Sequence, residues 1–238
     1  MLWYDELFEY IDDKKTYSHK ELVEELRDLN PDLSDSSYHW AVSSLVREGK
    51  LFRSGYDTYC QAGNISKTDY RPEYSENAQG IMKAIQEQYP FVRFTMFEMT
   101  LMNEFLNHLI ARNTIYVQVE KGSSLFVFRF LQEAGYRNVM YKPSKKDFSL
   151  YWSEDCVVVT DLISEAPLRP DEPHKIMLEK MLVDIVADKL ISSSFSKAEL
   201  PDIFNQADNR YFLDKIRMYR YARRRNKEEQ VKAYLEGE

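Results

Sequence analysis

Residues 34–61, SDSSYHWAVSSLVREGKLFRSGYDTYCQ, decide the reading of the fold. A helix is predicted from 34–36 to Glu48, with Gly49 as its stop. At about 100° per residue Tyr38, Ala41, Val42 and Leu45 share one side, the i, i+3, i+4, i+7 stripe of a packed face. Ser36, Trp40, Ser43 and Arg47 take the opposite side, with Ser37 and Ser44 beside them. Residues 50–53 and 56–61 are apolar enough for two strands, joined across Ser54-Gly55.

Working outward from this stretch, two more helices are expected upstream. One covers about 2–11, with Leu7, Tyr10 and Ile11 at helical spacing. The other opens at Ser18, an N-cap with Glu21 three residues on as capping-box partner. Leu22, Val23, Leu26 and Leu29 form its buried stripe and Pro31 ends it. Three short helices followed by a two-stranded ribbon make the winged helix-turn-helix pattern, assigned to residues 1–62. On such a domain small hydroxyls let the third helix lie close to DNA, and Arg47 has the fork for guanine or phosphate. Lys50, Arg53 and Tyr56 would sit on the wing, where it reaches the neighbouring backbone. The competing reading is a solvated helix face on which Trp40 anchors a protein partner or lies covered by the rest of the chain.

Beyond a linker expected at 63–75, where Pro72 sits in a stretch without apolar periodicity, residues 76–238 read as a second, mixed α/β domain with a helical C-terminal part. Helices are predicted around 76–88, 101–110 and 123–134, and strands at 91–97, 114–119, 139–141 and 156–160. Pro167, Pro170 and Pro173 exclude regular helix from 164–173. From His174 on, one long helix carries Leu178, Met181, Leu182 and Ile185, a short one covers 200–204 and a third 212–225. The fold class is α+β, with no internal repeat and no low-complexity stretch.

The 238 residues carry a net charge of -7, so any affinity for nucleic acid must be local. Residues 1–35 hold 4 basic against 11 acidic side chains, residues 36–60 hold 3 against 2, and residues 210–232 hold 9 against 3. In that cationic end Arg217, Arg220, Arg224 and Lys227 fall on one helical stripe, with Arg223 and Arg225 nearby. Part of the run suits a helix C-terminus. The rest calls for an anionic partner, either DNA phosphate or the acidic first helices of the same chain. No apolar run approaches the ~18 residues of a membrane span, and the first residues carry acids where a signal peptide carries Lys or Arg. A cytoplasmic location is expected. Two cysteines, Cys60 and Cys156, make neither a disulfide framework nor a cysteine zinc site.

Sites of chemistry are sparse. His19, His39, His108 and His174 show no metal-ligand spacing, and no nucleophile elbow, Walker loop or dinucleotide fingerprint is present. Glu120 and Lys121 at a strand end suggest a metal-dependent nuclease, yet adjacent residues point to opposite faces of a strand. Lys121-Gly122-Ser123-Ser124 suggests a nucleotidyltransferase loop, but no Asp-x-Asp follows. Asp155 and Asp161 flank an apolar strand and read best as solvated strand ends. The expectation is a protein that is not an enzyme, without metal or cofactor.

Short motifs along the chain resemble a known family. LEKMLVD at 178–184, with YRYARRR at 219–225, resembles the C-terminal region of AbiEi-like antitoxins of bacterial abortive-infection toxin–antitoxin systems. YVQVEKG at 116–122, EAPL at 165–168 and LVREGKL at 45–51 are similar to that group too. The resemblance implies a phage-defence repressor that binds the operator of its own operon and neutralises a nucleotidyltransferase-fold toxin. By position it puts DNA reading on Ser36, Ser37, Trp40, Ser43, Ser44, Arg47, Lys50, Arg53 and Tyr56. It puts antitoxicity on the C-terminal part, with Glu120, Lys121, Lys180 and Asp184; the basic helix with Arg217, Arg220, Arg223, Arg224 and Lys227 is a separate candidate surface, read from its charge. The acidity of residues 1–35 departs from what a duplex would favour. Two other classes stay open: a nuclease or nucleotidyltransferase-like enzyme acting near Glu120 or Asp161, and an interaction module that binds no DNA.

Overall fold

The computed structural model describes residues 3–11, 16–55, 57–61, 67–106 and 108–236, by backbone alone at 52–55 and 58. The fold is mixed α+β and divides into two compact units, residues 1–69 with 201–212 and residues 70–200 with 213–238.

The first unit opens with a 3-10 helix, Trp3–Glu9, where an α-helix was expected. A two-residue strand β1 (Tyr17–Ser18) leads into α1 (His19–Leu29). Ser18 caps α1 as predicted: its hydroxyl accepts from Glu21 N while the Glu21 carboxylate accepts from Ser18 N. Helix α2 (Asp35–Arg47) follows, and Gly49, at φ +69, turns the chain into β2 (Leu51–Gly55) and β3 (Thr58–Gln61). β2 runs on through Ser54-Gly55, where the connection was expected, because a register shift between Arg53 and Gly55 carries the pairing on to Gly55 opposite Thr58. The strands form an antiparallel sheet of order β1-β3-β2. Tyr38, Ala41, Val42 and Leu45 are buried as predicted, against Tyr4, Leu7, Leu22 and Leu26. Helix α7 (Leu200–Arg210) contributes 201–210 to this unit: Thr68 pairs with Tyr211, and Lys67 Nζ lies 3.5 Å from Asp208 Oδ1.

The second unit is built on a sheet of order β4-β5-β7-β6, with β4 (Phe94–Glu98), β5 (Thr114–Val119), β6 (Val139–Tyr141) and β7 (Cys156–Asp161). β4 runs antiparallel to β5, while β5, β7 and β6 are parallel. Parallel neighbours need crossovers. Helices α4 (Ser124–Glu133) and α5 (Lys145–Tyr151) supply them, after α3 (Glu76–Gln88) has opened the unit. Tyr116 meets Phe97 and Phe148, and Gln118, two residues on and so on the same face, meets α6 (Leu178–Ala187). Helices α8 (Lys215–Arg224) and α9 (Glu228–Glu236) complete it.

Several expectations need correction. Residues 67–75 are not a free linker: Tyr70 and Tyr74 are buried, and the Tyr74 hydroxyl donates to Met96 O. Of the predicted helix 101–110 the described residues form only a 3-10 turn, Met99–Glu104; beyond it Asn103 Oδ1 accepts from Ile110 N. The long helix after 178 ends at Ala187, with both faces buried. The short helix at 200–204 runs on to Arg210, and 201–212 join the first unit rather than the second. The helix expected over 212–225 runs over Lys215–Arg224, and the φ of +56 at Asn226 beyond it takes Lys227 off the basic stripe. Residues 164–173 contain no helix, as the prolines require.

Candidate nucleic-acid interface and sheet-end crevice

On α2 the side opposite the core is exposed at Ser36, Trp40, Ser43 and Arg47, while Ser37 is half-buried. Trp40 keeps 53% of its surface in solvent, with one ring edge against Tyr4 at 5.8 Å. Ser44 is buried and corrects the expectation for it: it flanks Ala41 and Leu45 too closely to reach a groove. Its Oγ accepts from Arg47 Nη2 at 3.3 Å. Ser36 and Ser37 share hydroxyl contacts with Ser34, and Ser43 donates to His39 O, as serines inside helices often do. His39, weighed in sequence only as a metal ligand, stacks on His19 with the rings 4.9 Å apart and a 2.7 Å contact between His19 Nε2 and His39 Nδ1. The signal for it would have been the exposed side of α2, on which His39 lies beside Trp40 and Ser43.

Lys50 is not the free ammonium expected of a phosphate grip. It donates to Asp5 Oδ1 and to Glu48 Oε2, each at 2.7 Å, and Tyr4 donates to Glu48 Oε1 at 2.9 Å. The hydrogen bonds that Lys50 donates to Asp5 and Glu48 push its pKa up, and Lys50 holds the Glu48 carboxyl below its usual range. The acidic start of the chain thus neutralises the base of the hairpin. The Arg53 side chain and Tyr56 lie outside the described residues.

The cationic end also differs from a continuous stripe. Arg217 pairs with Asp214, Arg220 with Glu165 and Arg223 with Glu228, whose pKa the Arg223 fork draws down to about 2. Arg224 donates to Ser164 Oγ, and Lys227, beyond the break at Asn226, donates to Gln230. These partners all belong to the second unit.

Lys180 and Asp184 are fully buried, one helical turn apart, and form an ion pair. The Asp184 carboxylate also accepts from Gln118 Nε2 at 3.1 Å, the Tyr221 hydroxyl at 2.8 Å and Arg225 Nη1 at 2.9 Å. Burial works to raise the Asp184 pKa, but Lys180 and Arg225 outweigh it and hold the carboxyl below its usual range. A buried charge needs such compensation. Neither residue can meet a partner in the folded protein, so both leave the candidate surface.

Glu120 and Lys121, by contrast, reach a crevice of about 710 Å³ at the carboxyl ends of β5 and β7, where open α/β sheets usually hold ligands. Arg93, Asp161 and Arg224 line it too. Asp161 accepts from Ser124 Oγ at 2.5 Å and from Lys142 Nζ at 2.6 Å. Burial disfavours its charge, but these two hydrogen bonds prevail and lower its pKa. Lys142 holds this geometry at φ +42, a conformation side chains rarely adopt. The structure therefore joins Glu120, Lys121, Asp161 and Arg224, which are far apart in sequence. Among the described residues no three His, Cys, Asp or Glu side chains gather as a metal site needs, and no helix is long and apolar enough to cross a membrane.

Among solved structures the chain is similar to the crystal structure of the RV2827C protein from Mycobacterium tuberculosis, at 13% identity and a TM-score of 0.28, over 98% of this chain and 80% of that one. Comparison with curated proteins gives no match. The family DUF6577, described as a family of unknown function, matches residues 37–238. That span takes in nearly all of α2, the hairpin and the whole second unit, and by it the chain belongs to the DUF6577 family.

Proposed function

We propose that the chain is a DNA-binding repressor with a winged helix-turn-helix in its first unit. The observation that carries this reading is the division of α2 into a buried stripe and an exposed face bearing Ser36, Trp40, Ser43 and Arg47. The order of elements, with β1 joining the hairpin in a β1-β3-β2 sheet, supports it. Arg47 reads base edges, and the hydroxyls beside it settle the helix near phosphate. Lys50 contributes less than its position suggests, because Asp5 and Glu48 already occupy its ammonium.

Selection of duplexes from a random pool with the purified chain tests the proposal, and enrichment of one sequence, bound with a steep salt dependence, is the expected result. On that sequence Arg47→Ala costs on the order of 1–3 kcal/mol and loses less on random duplex. Equal losses on both would remove base reading from Arg47. Failure to enrich any sequence would leave the face around Trp40 as a protein-binding surface.

The AbiEi-like motifs extend the reading: the repressor acts on its own operon, and the second unit counters a nucleotidyltransferase-like toxin. With Lys180 and Asp184 buried, that role falls to the surface at Glu120 and Lys121. Co-expression with a nucleotidyltransferase-like product encoded beside it should relieve growth arrest. Arrest that persists at equal expression refutes the antitoxin role and leaves the DNA experiment untouched.

A further inference from the structure

A second cavity, of about 370 Å³, opens at the other end of β5. One wall is a single face of α5 and its C-cap: Lys145, Phe148, Ser149 and Trp152 stand at i, i+3, i+4 and i+7. Arg112 and Thr114 enter from the start of β5, and Leu190, Ser193 and Ser194 close the opposite side. Trp152 is fixed by its Nε1, which donates to Thr114 Oγ1 at 2.9 Å, and the Arg112 guanidinium lies over its ring at 5.0 Å.

The chemistry of this lining is one-sided. Arg112 and Lys145 bring two positive charges, and no Asp or Glu lines the cavity. Neither cation has an ion-pair partner among the described residues, unlike the arginines of α8. The Ser149 and Ser194 hydroxyls are likewise free to donate, and Thr114, which accepts from Trp152, keeps its own hydrogen to give. A cavity with a surplus of donors and net positive charge selects an anion rich in oxygen acceptors. The three terminal oxygens of a phosphate monoester match five donor groups better than the two of a carboxylate do. Phe148, Trp152 and Leu190 supply an apolar wall for an attached organic body, and the volume lies within the usual range of small-ligand sites.

We propose that this cavity binds a small phosphate monoester, its phosphate held by Arg112 and Lys145. The site is separate from the α2 face and from the crevice at Glu120, and it rests on neither functional reading.

Calorimetric titration of the full chain with AMP, inorganic phosphate and adenosine tests the assignment. AMP is expected to bind saturably, with a dissociation constant at or below about 1 mM, and adenosine not to bind. Phosphate binding as tightly as AMP makes the phosphate the whole ligand, and weaker binding shows that the organic body contributes; both support the site. The double variant Arg112→Gln, Lys145→Gln changes two exposed side chains and should weaken AMP at least about tenfold. Lys83→Gln, in α3 and away from the cavity, should leave it unchanged. Adenosine binding as well as AMP, a double variant that binds like the parent, or no binding of either AMP or phosphate overturns the proposal.

Discussion

Asp184→Asn is expected to destabilise the second unit by about 3–5 kcal/mol, a large part of what holds any domain folded. The amide keeps the shape of the side chain but leaves Lys180 buried without its counter-ion, and Arg225 and Tyr221 lose a charged acceptor. Removing one partner of a buried pair is far costlier than replacing both, because the orphaned charge stays desolvated. A Lys180→Met, Asp184→Leu double variant should therefore recover part of the loss, the remainder being the acceptor that Gln118, Tyr221 and Arg225 still lack. Urea unfolding followed by circular dichroism measures both. The pH dependence has a definite sign. A carboxyl held below its ordinary 3.8 contributes stability that is present above about pH 4 and is lost as pH falls through the folded value. The gap between parent and Asp184→Asn should narrow below pH 4; a gap constant from pH 7 to pH 3 would contradict the ionised cluster.

Leu45→Ala is expected to cost roughly 2–5 kcal/mol in the first unit. Leu45 is fully buried in the stripe that seats α2 on α1 and the opening 3-10 helix, and its removal leaves a cavity that the helix cannot close without tilting. The exposed face tilts with it, so under the proposed function binding to the selected duplex should fall although no side chain of that face has changed. Hydrogen exchange reads the effect directly: the amides of α1 and α2 should exchange faster, and unaltered protection there would show that α2 is held by something other than this stripe.

Local signals were readable where a single segment carries its own physics. The Ser18–Glu21 capping box, the packed stripe of α2 and the β-branched run of β5 all appear as the sequence suggests. Apolar spacing fails to set the length of α6, because residues buried on all sides show no polar face to mark where it stops. The turn at Asn226 that takes Lys227 off the stripe of α8 was hidden, since asparagine enters the left-handed region without glycine's signature. For the candidate surfaces, sequence identified Trp40 and Arg47 from helical phase alone. It could not show that Lys50 is held by Asp5, 45 positions away, or that Lys180 and Asp184 face inward, because partners brought together by folding leave no local pattern.

The return of residues 201–212 to the first unit has a consequence for biosynthesis. On the ribosome the opening 69 residues emerge long before the helical segment that joins them, so the contacts between the two form only once most of the polypeptide has been translated. A fragment cut after residue 69 would lack those late contacts, among them the pairing of Thr68 with Tyr211 and the ion pair of Lys67 with Asp208.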